Sequence, residues 1–447
     1  MKMREKLSGR FGFLMVAAGC AVGLGNVWRF PFVVGQNGGA AFVAVYLFFL
    51  AILGFPLLAA ELAVGRGSKR GIGRALAKLS RPGVKGFWRI VGTVVFAGNF
   101  VLMIYYTDVA GWLAKYAFGY LAGTHVATPG DAHGAFAALL ADKPLCMGWM
   151  LFSVLAATAV CFAGVAKGVE RVTKVLMVSL LALLVFLAAK ALSLPGAAEG
   201  VKFYLYPDWA RFFAHPWRAV MEAMGQAFFT LSLGIGCMTI FGSYIGKENS
   251  LAKESAWIIA IDTVVALLSG LVIFPACYSC GVEPSCGPGL IFAVLPEVFA
   301  RMDGGRFWGF CFFLFLDFAA LTTIIAVFEC LIGGMRDEVR TRRMKKDPRR
   351  PVAVCVGAAV ALASVPCVLF DGVLDIEDFA VSQLWLPIGA LLQSIFVASP
   401  FGWGWMKFLA EANAGDGFKL PRFLRFHMAV AIPVLVIAVL MAGLVAK

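Results

Sequence analysis

Apolar residues occupy this chain in long blocks separated by polar segments. A helix needs about twenty predominantly apolar residues to cross hydrocarbon. Such blocks lie near 11–34, 40–65, 88–122, 146–164, 170–192, 217–243, 253–279, 306–335, 351–370, 376–400 and 422–446. They predict about eleven membrane-spanning helices. Two blocks are weakened from within. The first, AGCAVGLGNVWRFP at 18–31, carries Gly19, Gly23, Gly25, Asn26 and Arg29 ahead of Pro31. The second, QAFFTLSLGIGCM at 226–238, sets Gly234 and Gly236 beside Thr230 and Ser232. These are the first and sixth spans, and an interval of five gives the second unit the opposite polarity in the membrane. Gly-interrupted segments at corresponding positions of two halves point to a transporter of inverted repeats with a midplane site. Close helix packing through small residues is the alternative, but polar neighbours at both breaks favour the binding reading.

Composition agrees with the block pattern. The 447 residues are 61% hydrophobic and only 15% charged, against about 25% charged in soluble domains. The first apolar block follows Lys2, Arg4, Lys6 and Arg10, as in a signal peptide. It lacks a small-residue cleavage site, and Asn26 and Arg29 interrupt it, so it reads as a retained first helix. The net charge of +13 raises the question of nucleic acid, and its distribution answers it. With a cytoplasmic N-terminus, the loops 66–87 and 336–350 lie inside. The first carries Arg66, Lys69, Arg70, Arg74, Lys78, Arg81 and Lys85, and the second is similarly basic. Outward segments are mixed or acidic, as in DGVLDIED at 371–378. The basicity is positive-inside topology and not a nucleic-acid footprint. An odd span count leaves Lys447 outside.

Most of the eleven cysteines sit in apolar blocks, where Cys behaves as a small hydrophobe. Only CGVEPSC at 280–286 places two in an outward loop, leaving a Cys280–Cys286 disulfide open. The four His are dispersed and no Cys/His spacing suggests a metal site. No Asn-x-Ser/Thr sequon occurs, which favours a prokaryotic source. Loops read as short, with no linker or soluble domain.

Five ordered blocks carry a resemblance: AVGLGNVWRFP at 21–31, NGGAAF at 37–42, ELAVGR at 61–66, GQAFFTLSLGIG at 225–236 and ALTTIIA at 320–326. Together they resemble the neurotransmitter:sodium symporter family, over nearly the whole chain from Arg4 to about Asp378. The resemblance implies an all-α integral membrane protein of the LeuT-type fold in a bacterial inner membrane. Residues 1–192 would form a first five-helix repeat, 193–400 a second, inverted one, and 401–447 an eleventh helix. Helices one and six would be unwound at the midplane.

Unwinding a helix in lipid leaves N–H and C=O groups unpaired at several kcal/mol each. Freed carbonyls suit a hard cation, while half-helix N-terminal ends suit an anion. A zwitterionic amino acid with Na⁺ meets both demands. The resemblance implies a carboxylate site at Gly25 and Tyr106, although Tyr106 by itself reads equally as a packing aromatic. It implies a first sodium site at Ala21, Asn26, Thr230 and Asp262, where the local alignment allows a shift of one residue. A second sodium site would use Gly19, Val22, Ala319, Thr322 and Thr323. An acid inside an apolar run is costly and marks a functional position. No Lys or Arg lies near Asp262 in its span.

Chloride-dependent relatives have an anion site to which Tyr46, Gln226 and Thr230 correspond. The remaining position, one turn after Asp262, is Ala266. A fixed carboxylate beside Na⁺ offsets the charge that chloride otherwise offsets, so chloride independence is expected, with proton antiport an open addition. Arg29 and Asp378 resemble an outer gate above a lid of Tyr106 and Phe229. Arg4 and Asp337 resemble an inner gate supported by Tyr244 and Glu61. Either arginine reads alternatively as a snorkelling charge. The substrate region, with Ala21, Gly23, Gly25, Tyr106 and Thr230, extends into an apolar side-chain pocket. That pocket is lined by Leu102, Phe229, Ser232, Ile235, Thr323 and Val327, which fits a neutral hydrophobic or aromatic L-amino acid. The expected partners are that amino acid, two sodium ions and the bilayer. A transport-inactive binding sensor of the same fold remains the alternative. No catalytic constellation is present, so no enzyme is expected.

Overall fold

In hydrocarbon no water can satisfy exposed backbone, so each crossing must bond its own N–H and C=O groups as a helix. The computed structural model describes residues 7–124, 132–281, 290–339 and 347–445. Among them there is no β-strand, only isolated bridges between Gly39 and Pro207 and between Asn249 and Asp416. The helices in chain order begin with α1 (Arg10–Ala21), α2 (Phe30–Gln36), α3 (Ala40–Ser68), α4 (Ile72–Leu79) and α5 (Lys85–Ala122). There follow α6 (Ala132–Ala141), α7 (Lys143–Phe162), α8 (Val165–Leu192), α9 (Ala197–Leu205) and α10 (Trp209–Ala214). The second half holds α11 (Pro216–Thr230), α12 (Cys237–Gly242), α13 (Leu251–Ser279), α14 (Leu295–Arg301) and α15 (Gly305–Val339). It closes with α16 (Arg349–Leu369), α17 (Val373–Ala398), α18 (Trp405–Ala412) and α19 (Leu424–Met441).

Among the described residues, 9 helices are long and apolar enough to span, or 10 when α1 and the Gly25–Gln36 stretch count as one crossing bent by 55°. The remaining block of the sequence count is Pro216–Gly242. It is divided into α11 and α12, of 15 and 6 residues, each too short to cross alone. The break therefore hides this span from any test of helix length.

Burial ranks the spans. The apolar window of α15 is 78% buried and that of α19 only 22%. Accordingly α15 forms the centre, packed on α1, α5, α8 and α16, while α19 lies against α17 at the periphery. Lipid is as apolar as leucine, so dispersion and close fit hold these contacts rather than a hydrophobic force between helices.

The connections are more structured than the expectation of short loops. The basic 66–87 segment contains α4, which lies along α5. Its Arg74 pairs with Glu338 of α15 at 3.0 Å, and Arg89 at the start of α5 pairs with the same carboxylate. Further helices, α6, α9, α10, α14 and α18, cover the other connections. They are too short and polar-flanked for a pattern of long apolar blocks to reveal. Cys286 falls outside the described residues, and with it the Cys280–Cys286 pairing.

Candidate functional site

The first break begins where α1 ends at Ala21. Val22 is extended, and the chain resumes as a wide π-turn at Gly25–Arg29. Two of the freed donors find side chains. Gly23 N–H donates to Asn26 Oδ1 at 3.1 Å, and Leu24 N–H to the Tyr106 hydroxyl at 3.2 Å. The carbonyls are met in the same way. Thr323 Oγ1 donates toward Gly19 O at 3.4 Å and Val22 O at 3.2 Å. Gln226 Nε2 donates to Gly25 O at 2.9 Å.

The second break spans residues 231–236, between α11 and α12. Ser232, Gly234 and Gly236 all have positive φ, at 51°, 99° and 72°. For glycine this costs nothing in sterics, but Ser232 is held in a conformation that disfavours a side chain. Three neighbouring helices hold the break. From α3, Glu61 Oε1 accepts from Gly234 N–H at 2.8 Å. From α17, Gln393 donates to Glu61 at 3.0 Å and toward Gly234 O at 3.3 Å. From α5, Asn99 Nδ2 donates to Ile235 O at 2.6 Å. Asn99 and Gln393 were absent from the sequence reading. A polar residue within an apolar block was the available signal. Glu61 is a correction: it does not support the inner gate but satisfies the break, because an unwound N–H in the membrane needs an acceptor.

The two breaks are brought together. Asn26 Nδ2 lies 2.8 Å from Asp262 Oδ1 and 3.0 Å from Thr230 Oγ1, which itself donates to Asp262 Oδ2 at 2.9 Å. All three residues are buried. On α13 it is Asp262 that reaches Asn26 and Thr230. Ala21, at the end of α1, is buried beside them in sequence. A separate set gathers where α15 meets the end of α1. Thr322 Oγ1 donates to Ala319 O at 3.0 Å, and Thr323 reaches Gly19, Val22 and Ala319. These are hard oxygen donors with a single carboxylate in one set and none in the other. They suit an alkali cation better than a transition metal. Among the described residues no group of His, Cys, Asp and Glu has the arrangement of a metal centre.

The substrate-pocket candidates include members of both sets, Thr230 and Thr323. Leu102, Tyr106, Thr230, Ile235, Thr323 and Val327 are buried, while Phe229 and Ser232 are half-buried. A Cβ on Gly23 would meet both Thr323 Oγ1 at 2.7 Å and the Tyr106 hydroxyl at 2.8 Å. The first break therefore passes directly between these hydroxyls. Tyr46, Gln226 and Ala266 are buried as well.

The expected outer pair is not in direct contact. No ion pair joins Arg29 to Asp378 among the described residues. The Arg29 guanidinium lies over the Phe229 ring, 4.7 Å from its centroid, a cation–π contact. At the inner end Arg4 lies outside the described residues. Asp337 accepts from Arg70 at 3.0 Å and from Gly71 N–H at 2.8 Å. Tyr244 donates to Glu329 at 2.5 Å, and Arg349 grips that carboxylate through both terminal nitrogens.

Two broken helices facing each other, oxygen donors at both breaks and charged clusters toward both ends are the construction of a LeuT-fold secondary transporter. The family model for the sodium:neurotransmitter symporter family matches residues 4–126 and 143–447, and the chain belongs to that family. It is a family of sodium-dependent transporters, not of enzymes. The chain is 33% identical over 453 residues to a sodium-dependent transporter of Bacillus subtilis, YhdH, covering 97% of each. It is 30% identical over 415 residues to the sodium-dependent serotonin transporter of Drosophila melanogaster, covering 83% of this chain and 65% of that one. The crystal structure of MhsT in complex with L-phenylalanine superposes with a TM-score of 0.85 at 33% identity. The match covers 98% of this chain and 100% of that one.

Proposed function

We propose that the protein carries a neutral hydrophobic or aromatic L-amino acid into the cell with sodium, by alternating access. The observation that carries this reading is the meeting of both helix breaks at Asn26, Thr230 and Asp262, with Tyr106 bonded to the first break. One sodium ion would lie among Ala21, Asn26, Thr230 and Asp262. A second would lie among Gly19, Val22, Ala319, Thr322 and Thr323. The substrate carboxylate would take the N–H groups near Gly25 and the Tyr106 hydroxyl, and the amino group would face the carbonyls near Ala21 and Gly23. The apolar lining carries no charge to receive an acidic or basic side chain, and L-phenylalanine bound to MhsT supports the aromatic end of this range. Arg29 and Phe229 would close the outer side, with Asp378 joining as the site shuts. Arg4, Asp337 and Tyr244 would close the inner side. Residues 1–192 and 193–400 would move as the two inverted repeats, with 401–447 appended. The basic segment around α4 supports a cytoplasmic N-terminus, and a C-terminus outside.

The test is uptake into proteoliposomes, screening the twenty amino acids with an inward sodium gradient. Accumulation of at least one hydrophobic or aromatic amino acid is expected. Binding without sodium-driven uptake or counterflow would instead establish a sensor. Chloride replacement by gluconate is expected to leave uptake unchanged, because Asp262 already supplies a negative charge beside the first ion. Loss of uptake in gluconate would overturn that part. Tyr106→Phe removes the donor to the substrate carboxylate and the acceptor of Leu24 N–H. A hydrogen bond to a charged group contributes about 1.5–3 kcal/mol, so half-saturation should rise by roughly 10- to 150-fold. An unchanged half-saturation would return Tyr106 to a packing role.

A further inference from the structure

Where the breaks pass into α1 and α12, two thiols touch. Cys20 is the penultimate residue of α1, and Cys237 is the first residue of α12. Their sulfurs lie 3.3 Å apart across 217 positions, the Cys20 thiol donating to Cys237. Cys237 Sγ in turn donates toward Ala326 O of α15 at 3.8 Å. A third thiol, Cys330 of α15, donates toward Gly236 O at 4.0 Å, one residue ahead of Cys237. All three cysteines are buried. The proposed ion and substrate sites use none of their side chains.

The two contacting thiols belong to segments that run from the breaks toward the same side. Beyond α12, Asn249 O accepts from Arg66 Nη1 of the basic 66–87 segment at 2.6 Å. At the start of α1, Arg10 pairs with Glu254 of α13 at 2.6 Å. With the basic segment inside, the Cys20–Cys237 contact therefore closes the cytoplasmic floor of the breaks. One of its two walls is fixed. A Cβ on Gly65 of α3 would strike Thr239 O, and one on Gly242 would strike Leu62 O, so α12 is pressed backbone to backbone against α3. Parting the thiols then falls to α1. A disulfide holds its sulfurs at about 2.05 Å, so bonding requires these two to approach by about 1.3 Å.

We propose that Cys20 and Cys237 form an oxidation site, at which hydrogen peroxide joins them in a disulfide that ties α1 to α12 and holds the inner side shut. One thiolate attacks a peroxide oxygen, the O–O bond breaks, and a sulfenic acid and water result. The second sulfur then attacks the sulfenic sulfur. The S–S bond forms, the S–O bond breaks, and the oxygen leaves as a second water with the remaining thiol proton. Two thiols are oxidised and one peroxide is reduced to two waters. The reagent enters when the site is open to the outer side, because the thiols stay in contact in that state. Ser232 Oγ already donates to Cys20 O at 3.3 Å, so the substrate region reaches to this residue. This rests on the transport reading above, and it adds that a bond between these thiols stops transport while leaving outward-facing binding intact.

The test uses the full-length protein, purified or in proteoliposomes, with wild type, Cys20→Ala and Cys237→Ala. After hydrogen peroxide and blocking of remaining thiols with N-ethylmaleimide, peptide mapping by mass spectrometry should find Cys20 linked to Cys237, and dithiothreitol should remove the link. Sodium-driven L-phenylalanine uptake by wild type should fall with the linked fraction, about tenfold once about nine-tenths is linked, since only unlinked molecules cycle. Dithiothreitol should restore it. Sodium-dependent L-phenylalanine binding to the oxidised protein should stay within about twofold, because the binding-competent state is retained. Each alanine variant, compared with itself before peroxide, should keep its uptake. Absence of the linked peptide, a link from Cys237 to Cys330 instead, or a link that leaves uptake unchanged overturns the proposal, as does equal loss in the variants. If reduced wild type transports no amino acid, the transport reading has failed, and the linked peptide still decides whether the oxidation site exists.

Discussion

Replacing Asp262 by alanine is expected to abolish sodium-coupled uptake at sodium concentrations that saturate the wild type. The Asp262 carboxylate is the one formal charge among the groups proposed for the first ion, and it is wholly buried. A charge pair at about 4 Å in a protein site is worth about 4 kcal/mol at an effective dielectric of 20. Removing the acid also takes away one of the acceptors of Asn26 Nδ2 and the acceptor of Thr230 Oγ1, at about 1–3 kcal/mol for the hydroxyl left unsatisfied. Half-saturation by sodium should therefore rise by more than about 100-fold. Asp262→Asn keeps hydrogen-bonding capacity and should lose somewhat less. Sodium titration of amino-acid binding to the purified variants measures both, and wild-type sodium dependence in Asp262→Ala would remove Asp262 from the site.

The second large effect is expected from Gly25→Ala. A Cβ at this position would sit 2.7 Å from Phe229 Cδ1 and 2.9 Å from Cε1, closer than real Cβ contacts allow. The ring must move, and with it the guanidinium of Arg29 that lies over its face. Overpacking of this kind costs about 1–3 kcal/mol, or roughly 5- to 150-fold in substrate affinity. The loss should appear in binding and uptake while the thermal melting of the empty protein changes little, because Phe229 is only half-buried. A melting temperature that falls with unchanged affinity would mean that Gly25 serves packing alone. Phe229→Ala in the same background removes the clash and is expected to restore part of the binding.

Several features of this site were legible in the chain because they depend on local composition. The breaks at 22–24 and 231–236 follow from glycine and polar residues set into apolar blocks. Asp262 stood out because an acid in such a block is costly wherever the fold places it. The ordered motifs then located Thr322, Thr323 and Tyr106, and the structure brings Thr323 and Tyr106 to the first break. Other features were not legible. Glu61 looked like a gate support from its motif, yet it caps Gly234, 173 positions away. Asn99 and Gln393 resemble any polar residue in a span until the faces of α5 and α17 are known. Arg29 looked like half of an ion pair, and its contact with Phe229 depends on how α11 lies against the π-turn. The helices of the connections were missed because short amphipathic turns carry no long apolar signal.

By itself, then, the sequence determined the membrane class, the spans, the positions of the two interruptions and the kinds of chemistry available there. These follow from the cost of polar groups in hydrocarbon, which each segment feels alone. The tertiary structure alone decided which polar group answers which. Glu61 meets Gly234, and Asn26 meets Asp262 across 236 positions. Those choices depend on which helix faces touch, and no local period encodes that. In a membrane the choice carries weight, because a buried polar group without a partner has no water to fall back on.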